Sequence, residues 1–243
     1  MRLRLLIAYD GSPFRGWQSQ TGGRTVQDHL EAAFATLCGE RIVVHGAGRT
    51  DAGVHALRQC AHVEVTRTME CSNWITALNG NLPREIRVLR CTRARRNFHA
   101  RFAAKGKIYT YRIWNAAVLS PFEYRRAWHL AGPLDLEAMQ CAAGAFEGRH
   151  DFKPFAANRG KSEEDTTRTI YSVAITRKGP VITLRFHGEG FMYKMVRLMT
   201  GALVKTGQGR APVESIANYL KGQAGKCSFA APAEGLYLTR VIY

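Results

Sequence analysis

Three stretches in the first hundred residues place apolar side chains at every second position: "RLRLLIAYD" (2–10), "QCAHVEVTR" (59–67) and "EIRVLRCTR" (85–93). That period is the signature of strands with one buried face. Between the first two lies "TVQDHLEAAFATLCG", where Val26, Leu30, Ala33, Phe34 and Leu37 recur at helical spacing. Thr25 is placed to cap that helix and Gly39 to end it. A shorter helix fits "SNWITALNG" (72–80), stopped ahead of Pro83. The second half repeats the plan. A strand at 107–114 precedes a helix from Asp135 to Gly148, and strands at 167–177 and 181–190 join through "KGP". A helix at 191–207 and a strand at 235–243 follow. The predicted class is α+β, with two β-α-β-β-α-β halves of ferredoxin-like pattern whose antiparallel sheets are able to join. The halves are drawn at 1–104 and 105–243, with a basic hinge near 94–106. The polar stretch 155–168 reads as a mobile loop.

Charge narrows the partner. Thirty-five Lys and Arg face nineteen Asp and Glu, a net of +16, and a surplus of this size points to a polyanion such as nucleic acid. The excess is spread along the chain, but its densest run is "TRARRNFHARFAAKGK" (92–107). That run has six basic residues, no acidic ones, and Phe98, His99 and Phe102 interleaved. Arginine both forks onto phosphate and stacks on bases, so the mixture suits RNA better than a plain lysine tail would.

Other classes fall away. The six cysteines show no C-x-x-C and no paired spacing, which argues against a zinc site or a disulfide framework. No apolar run reaches membrane-spanning length, and "MRLRLLIAYDG" has too short an apolar stretch for a signal peptide. The expectation is a cytoplasmic protein with reduced thiols and no membrane partner. Neither G-x-x-x-x-G-K-[ST] nor H-E-x-x-H occurs, and the eight histidines form no ligand set, so no metal and no small-molecule cofactor are expected.

One loop stands out. "GAGRTDAGVHA" (46–56) surrounds a single carboxylate, Asp51, with Gly46, Ala47, Gly48, Ala52 and Gly53. Small residues let the backbone come close to a ligand, although a turn capped by Asp51 would use the same residues.

The loop resembles the catalytic loop of the TruA family of tRNA pseudouridine synthases, with its G-R-T-D-A-G-V-H motif. "YDGSPFRGWQSQ" (9–20), "TVQDHLEAAF", "LNGNLPREIRV" (78–88) and "FHARFAAKGKIYTYRI" (98–113) resemble further family blocks. So do "HDF" (150–152), "TRTI" (167–170), "GFMYKMVR" (190–197) and "EGLYL" (234–238), all in family order. The resemblance implies an isomerase that breaks the N1–C1′ bond of uridine, turns the base and rejoins it through C5. No atom is gained or lost. It further implies a substrate in the anticodon arm, at tRNA positions 38 to 40, a homodimer, and an active-site cleft between the two halves.

The resemblance also assigns roles. Asp51 matches the nucleophile; attack at C1′, attack at C6 and a dissociative route all remain compatible with one carboxylate. Tyr109 matches the active-site tyrosine, able to stack on uracil and help the late proton transfer. Arg197 matches the arginine that pairs with the acid, although periodicity alone would place it in solvent, opposite the stripe Met192, Met195, Val196, Met199 and Leu203. Arg49 and, less specifically, His55 are candidates for RNA contact, as are Arg58, Arg93, Arg95, Arg96, Arg101 and Tyr109 itself. Where the family commonly has Gly-Gln, this chain has Arg58-Gln59, a bulkier entrance or an added phosphate contact.

Overall fold

The computed structural model describes residues 1–157 and 165–243. Residues 158–164, the middle of the stretch read above as a loop, lie outside the described residues. The fold is mixed α+β, mostly antiparallel in its strand pairing, with five α-helices among the described residues. It divides into two compact units, Met1–Lys105 with Tyr237–Tyr243, and Gly106–Leu236.

The first unit opens with β1 (Arg2–Tyr9), in which every second residue is buried. Leu3, Leu5 and Ile7 form the inward row. Helix α1 (Val26–Cys38) begins at a reciprocal cap: the Thr25 hydroxyl accepts from the Asp28 amide, and the Asp28 carboxylate accepts from the Thr25 amide. Gly39 ends the helix at φ 73°, a left-handed turn that costs glycine little. A two-residue strand, β2 (His45–Gly46), leads through the Asp51 loop into β3 (His55–Glu64). Helix α2 (Cys71–Asn81) and strand β4 (Ile86–Arg93) follow. β1 lies antiparallel between β3 and β4, and β2 pairs with β3. Phe34 of α1 meets Trp74 of α2 at 5.6 Å between ring centres, so the two helices share one aromatic core.

In the second unit, β5 (Gly106–Trp114) pairs with the short β6 (Trp128–His129). Asp135 caps α3 (Leu136–Gly144), which stops four residues short of the expected Gly148. Gly148 instead starts β7 (Gly148–Asp151) at φ 103°. Strands β8 (Thr167–Lys178) and β9 (Val181–Gly188) form a hairpin, and the order is β5-β9-β8-β7, all antiparallel. Helix α4 (Met195–Gly207) begins later than the sequence pattern suggests, because Lys194 sits in the left-handed region at φ 58° and breaks the run from Phe191. All five residues of the predicted stripe, Met192, Met195, Val196, Met199 and Leu203, are buried. Gly207 brings α4 against α3: a Cβ there would stand 2.6 Å from the Met139 sulfur. The short α5 (Ser215–Leu220) completes the unit.

The last strand, β10 (Leu236–Ile242), differs from its place in chain order. Tyr237 and Leu238 pair in parallel with His55 and Ala56 of β3, so residues 237–243 are counted with the first unit. No helix among the described residues is long and apolar enough to cross a membrane.

Candidate active site

The Asp51 loop is held from beneath by the segment that follows β1. The Trp17 amide donates to the Thr50 carbonyl (3.0 Å), and the Tyr9 hydroxyl pairs with the Thr50 hydroxyl (2.8 Å). Burial pushes the Tyr9 phenol well above its ordinary pKa, so it stays protonated as a hydrogen-bonding strut. On the far side of Asp51, the Val54 amide closes a turn onto the Asp51 carbonyl (3.1 Å), with Gly53 at φ 79°. The Gln59 side chain reaches back, its Nε2 donating to the Gly48 carbonyl at 2.7 Å.

Two glycines make this closeness possible. A Cβ on Gly11 would stand 2.0 Å from the Val54 carbonyl oxygen, and one on Gly16 would stand 2.6 Å from the Thr50 oxygen. Gly16 is also left-handed, at φ 88°. The small residues in the acid loop are thus matched by glycines in the "YDGSPFRGW" segment beneath it. Tyr9, Gly11, Gly16, Trp17 and Gln59 are the site residues that motif reading left without a role. The spacing of Y-D-G and R-G-W was the only sequence signal for the first four, and the Gln that follows Arg58 the only one for Gln59. The result is a half-buried carboxylate on a backbone tied on both sides, the rigid presentation that a nucleophile needs.

The other candidates in this unit divide by exposure. Arg49, Arg58, Arg95, Arg96 and Arg101 are exposed. Arg93 is exposed but shares an ion pair with Glu70 at 3.4 Å. Arg101 lies over the ring of Phe102, itself 77% exposed. His55 is different, being only 3% exposed. Its ring stacks on Tyr237 at 4.6 Å, and its Nδ1 lies 3.1 Å from both the Gly11 amide and the Asp10 carboxylate. In this structure it is a prop between strand ends.

The second unit carries Tyr109 and Arg197. Tyr109 sits in β5 opposite Phe186 of β9, 7% exposed, with Phe191 edge-on at 5.1 Å. Arg197 lies in the first turn of α4, and its Nε donates to the Ala231 carbonyl (2.7 Å) while the Ala231 amide donates to the Arg197 carbonyl (3.0 Å). This side chain is half-buried, where helical periodicity alone would leave it in solvent. The cause lies one turn along: a Cβ on Gly201 would stand 2.1 Å from the Phe229 carbonyl oxygen. The missing side chain lets residues 227–231 lie directly on the helix and hold the guanidinium. Among the described residues no group of three or more His, Cys, Asp or Glu is placed to hold a metal ion.

A family model described as tRNA pseudouridine synthase matches residues 5–103 and 142–243. The chain is 44% identical to tRNA pseudouridine synthase A of Akkermansia muciniphila over 251 aligned positions, covering 100% of this chain and 95% of that protein. It is 45% identical to the protein of the same name in Solidesulfovibrio magneticus, covering 100% and 91%. With the relative in Acetivibrio thermocellus the identity is 39%, covering 99% of each chain.

Proposed function

The chain belongs to the tRNA pseudouridine synthases, isomerases that convert uridine to pseudouridine in tRNA, and from that premise we propose that Asp51 is its nucleophile. The observation that carries this reading is the loop itself. A single carboxylate stands on a backbone clamped by Tyr9, Trp17 and Gly53, among residues too small to block a base turned out of its stack. In the proposed reaction the N1–C1′ bond breaks, the uracil turns, and C5 bonds to C1′. The hydrogen on C5 then leaves and N1 takes up a proton.

Tyr109 is proposed to stack on the detached base and to assist removal of the C5 proton. Its packing against Phe191, just ahead of the arginine-bearing helix, supports a fixed ring. Arg197 is proposed to pair with the Asp51 carboxylate, favouring its ionised form. The family motif supports that role, and the tie to Ala231 supports a side chain held in one orientation. Arg49, Arg58, Arg95, Arg96 and Arg101 are proposed to contact RNA phosphates, with Arg93 contributing once it leaves Glu70. The substrate uridines are proposed to lie in the anticodon stem-loop, at positions 38 to 40, with a homodimer acting in the cytoplasm; family resemblance supports these points. We also read both units as variants of the ferredoxin-like pattern. The spatial order β4-β1-β3-β2 supports it in the first, as do α3 and α4 flanking the β8–β9 hairpin along the second.

The test is Asp51→Asn, which keeps the shape and removes the charge. The variant is expected to fold and bind tRNA normally, and to lose tritium release from tRNA labelled at uridine C5 by several orders of magnitude. If Asp51 only caps the turn, release stays near wild type and stability falls by about 1 kcal/mol. That second pattern overturns the assignment.

A further inference from the structure

The second unit holds a cavity of about 380 Å³ that the proposed chemistry does not use. Its size falls in the roughly 300–1,000 Å³ range of small-ligand sites. Its lining residues include three lysines, Lys153, Lys221 and Lys226, and one acid, the carboxylate-bearing Asp151. That carboxylate is already engaged: its Oδ1 accepts from the Lys153 amide at 2.9 Å and from the Thr166 hydroxyl at 2.5 Å. None of the three lysines forms an ion pair among the described residues. Such a concentration of cations in a concave wall attracts anions rather than neutral ligands.

The backbone of the wall is open as well. Lys221 and Lys226 bracket the run Gly222-Gln223-Ala224-Gly225. Gly222 is left-handed at φ 71°, as a turn after α5 requires. Gly225 is not left-handed, and a Cβ on it would meet nothing within 4 Å. Neither packing nor conformation therefore asks for glycine at 225. The amides of Gly222, Gln223 and Cys227 are spent on Tyr219, Asn218 and Pro154. Those of Ala224, Gly225 and Lys226 make no hydrogen bond to another described residue. Tyr219 adds an aromatic wall, steadied edge-on by Phe155 at 5.6 Å.

We infer that this cavity is a phosphate-binding site and that its occupant is the sugar-phosphate strand of the RNA substrate. The inference rests on the reading of this chain as a tRNA-modifying enzyme. Three lysines and the unbonded amides of Ala224, Gly225 and Lys226 supply the donors that phosphate oxygens accept from, and none of them reads a base edge. The interaction therefore contributes affinity and position rather than sequence preference.

The experiment is amine acetylation of the full chain followed by mass spectrometry, with Lys178, exposed at the end of β8, as internal reference. Four conditions are compared at low salt: no ligand, a tRNA transcript, uridine monophosphate, and inorganic pyrophosphate. The expected result is at least about fivefold protection of Lys153, Lys221 and Lys226 by tRNA, with little from the two small anions. The triple substitution of these lysines by Gln should then weaken tRNA binding. It should also make the log–log salt slope shallower by about two, given 0.7–0.9 counterions per phosphate neutralised. Protection by the small anions without protection by tRNA assigns the cavity to a free phosphate compound and overturns the RNA occupant. Equal lysine reactivity in all four conditions overturns the site altogether. Tritium release measured on the same preparation separates the two readings. Release without lysine protection removes only the phosphate site, whereas absent release removes the isomerase assignment.

Discussion

At the scale of single residues, His62 ties β3 to the arginine-rich segment. Its Nδ1 accepts from the Ala100 amide at 3.2 Å, and its ring stacks on His45 at 4.9 Å and meets His99 at 4.6 Å. Burial, then His45, His99 and Arg2, push its pKa down to about 4, with Glu64 opposing. His99 is shifted in the same direction by its own burial and by the charges of His45, Arg2 and Arg101. Because the folded chain holds His62 neutral, the unfolded chain binds more protons between pH 6.5 and about 4. Stability is therefore fully present above pH 6.5 and falls as pH drops through that window. Urea unfolding from pH 4 to 8 should show the fall, and His62→Gln should flatten it while lowering stability at pH 7. An unchanged pH profile in the variant would mean that His62 titrates normally. Gly16 shows the same dependence on surroundings: its left-handed backbone and its closeness to Thr50 both forbid a side chain, yet nothing in "FRGW" alone tells a turn glycine from a packing one.

At the scale of elements, α4 inverts a general rule. Glycine in a helix interior costs up to about 1 kcal/mol relative to alanine, so Gly201→Ala would ordinarily stabilise. Here the added methyl would stand 2.1 Å from the Phe229 carbonyl oxygen, and backbone cannot give way as a flexible side chain can. The expected outcome is destabilisation of about 1–3 kcal/mol in urea unfolding. Turnover should also fall, because the displaced segment is the one that holds Arg197. A raised unfolding midpoint would show that residues 227–231 yield at little cost. Most elements were legible in the sequence because periodicity and caps are local. Thr25, Gly39 and Asp135 all do what their positions in the pattern imply. The misjudged ends, at Gly144 and Met195, depend on backbone turns at Gly148 and Lys194 that have no periodic signal.

At the scale of the whole molecule, the net charge of +16 sets how binding responds to salt. Affinity for tRNA should fall steeply with ionic strength, and neutralising Arg95 and Arg96 should flatten the slope by about 0.7–0.9 for each phosphate that then keeps its counterion. Neutralising Arg93 should do less, because Glu70 already shares its charge. Filter binding across a salt series checks both statements. Equal effects from Arg93 and Arg95 would mean that the Glu70 pair is too weak to matter, as exposed pairs often are.

The α+β class, the order of the main elements and the acid loop were all legible in local stretches of the chain. Each of these is written in neighbouring residues: a period of two or 3.6, a cap, or a run of eleven residues around Asp51. Tertiary structure alone decided which glycines serve that loop, that His55 lies inside rather than at the surface, and that the last strand joins the first unit. It also decided that Arg197 is held by Ala231. The physical reason is the same in each case. Burial and close approach are set by segments far apart in the chain, and a residue's own neighbours carry no record of what will pack against it.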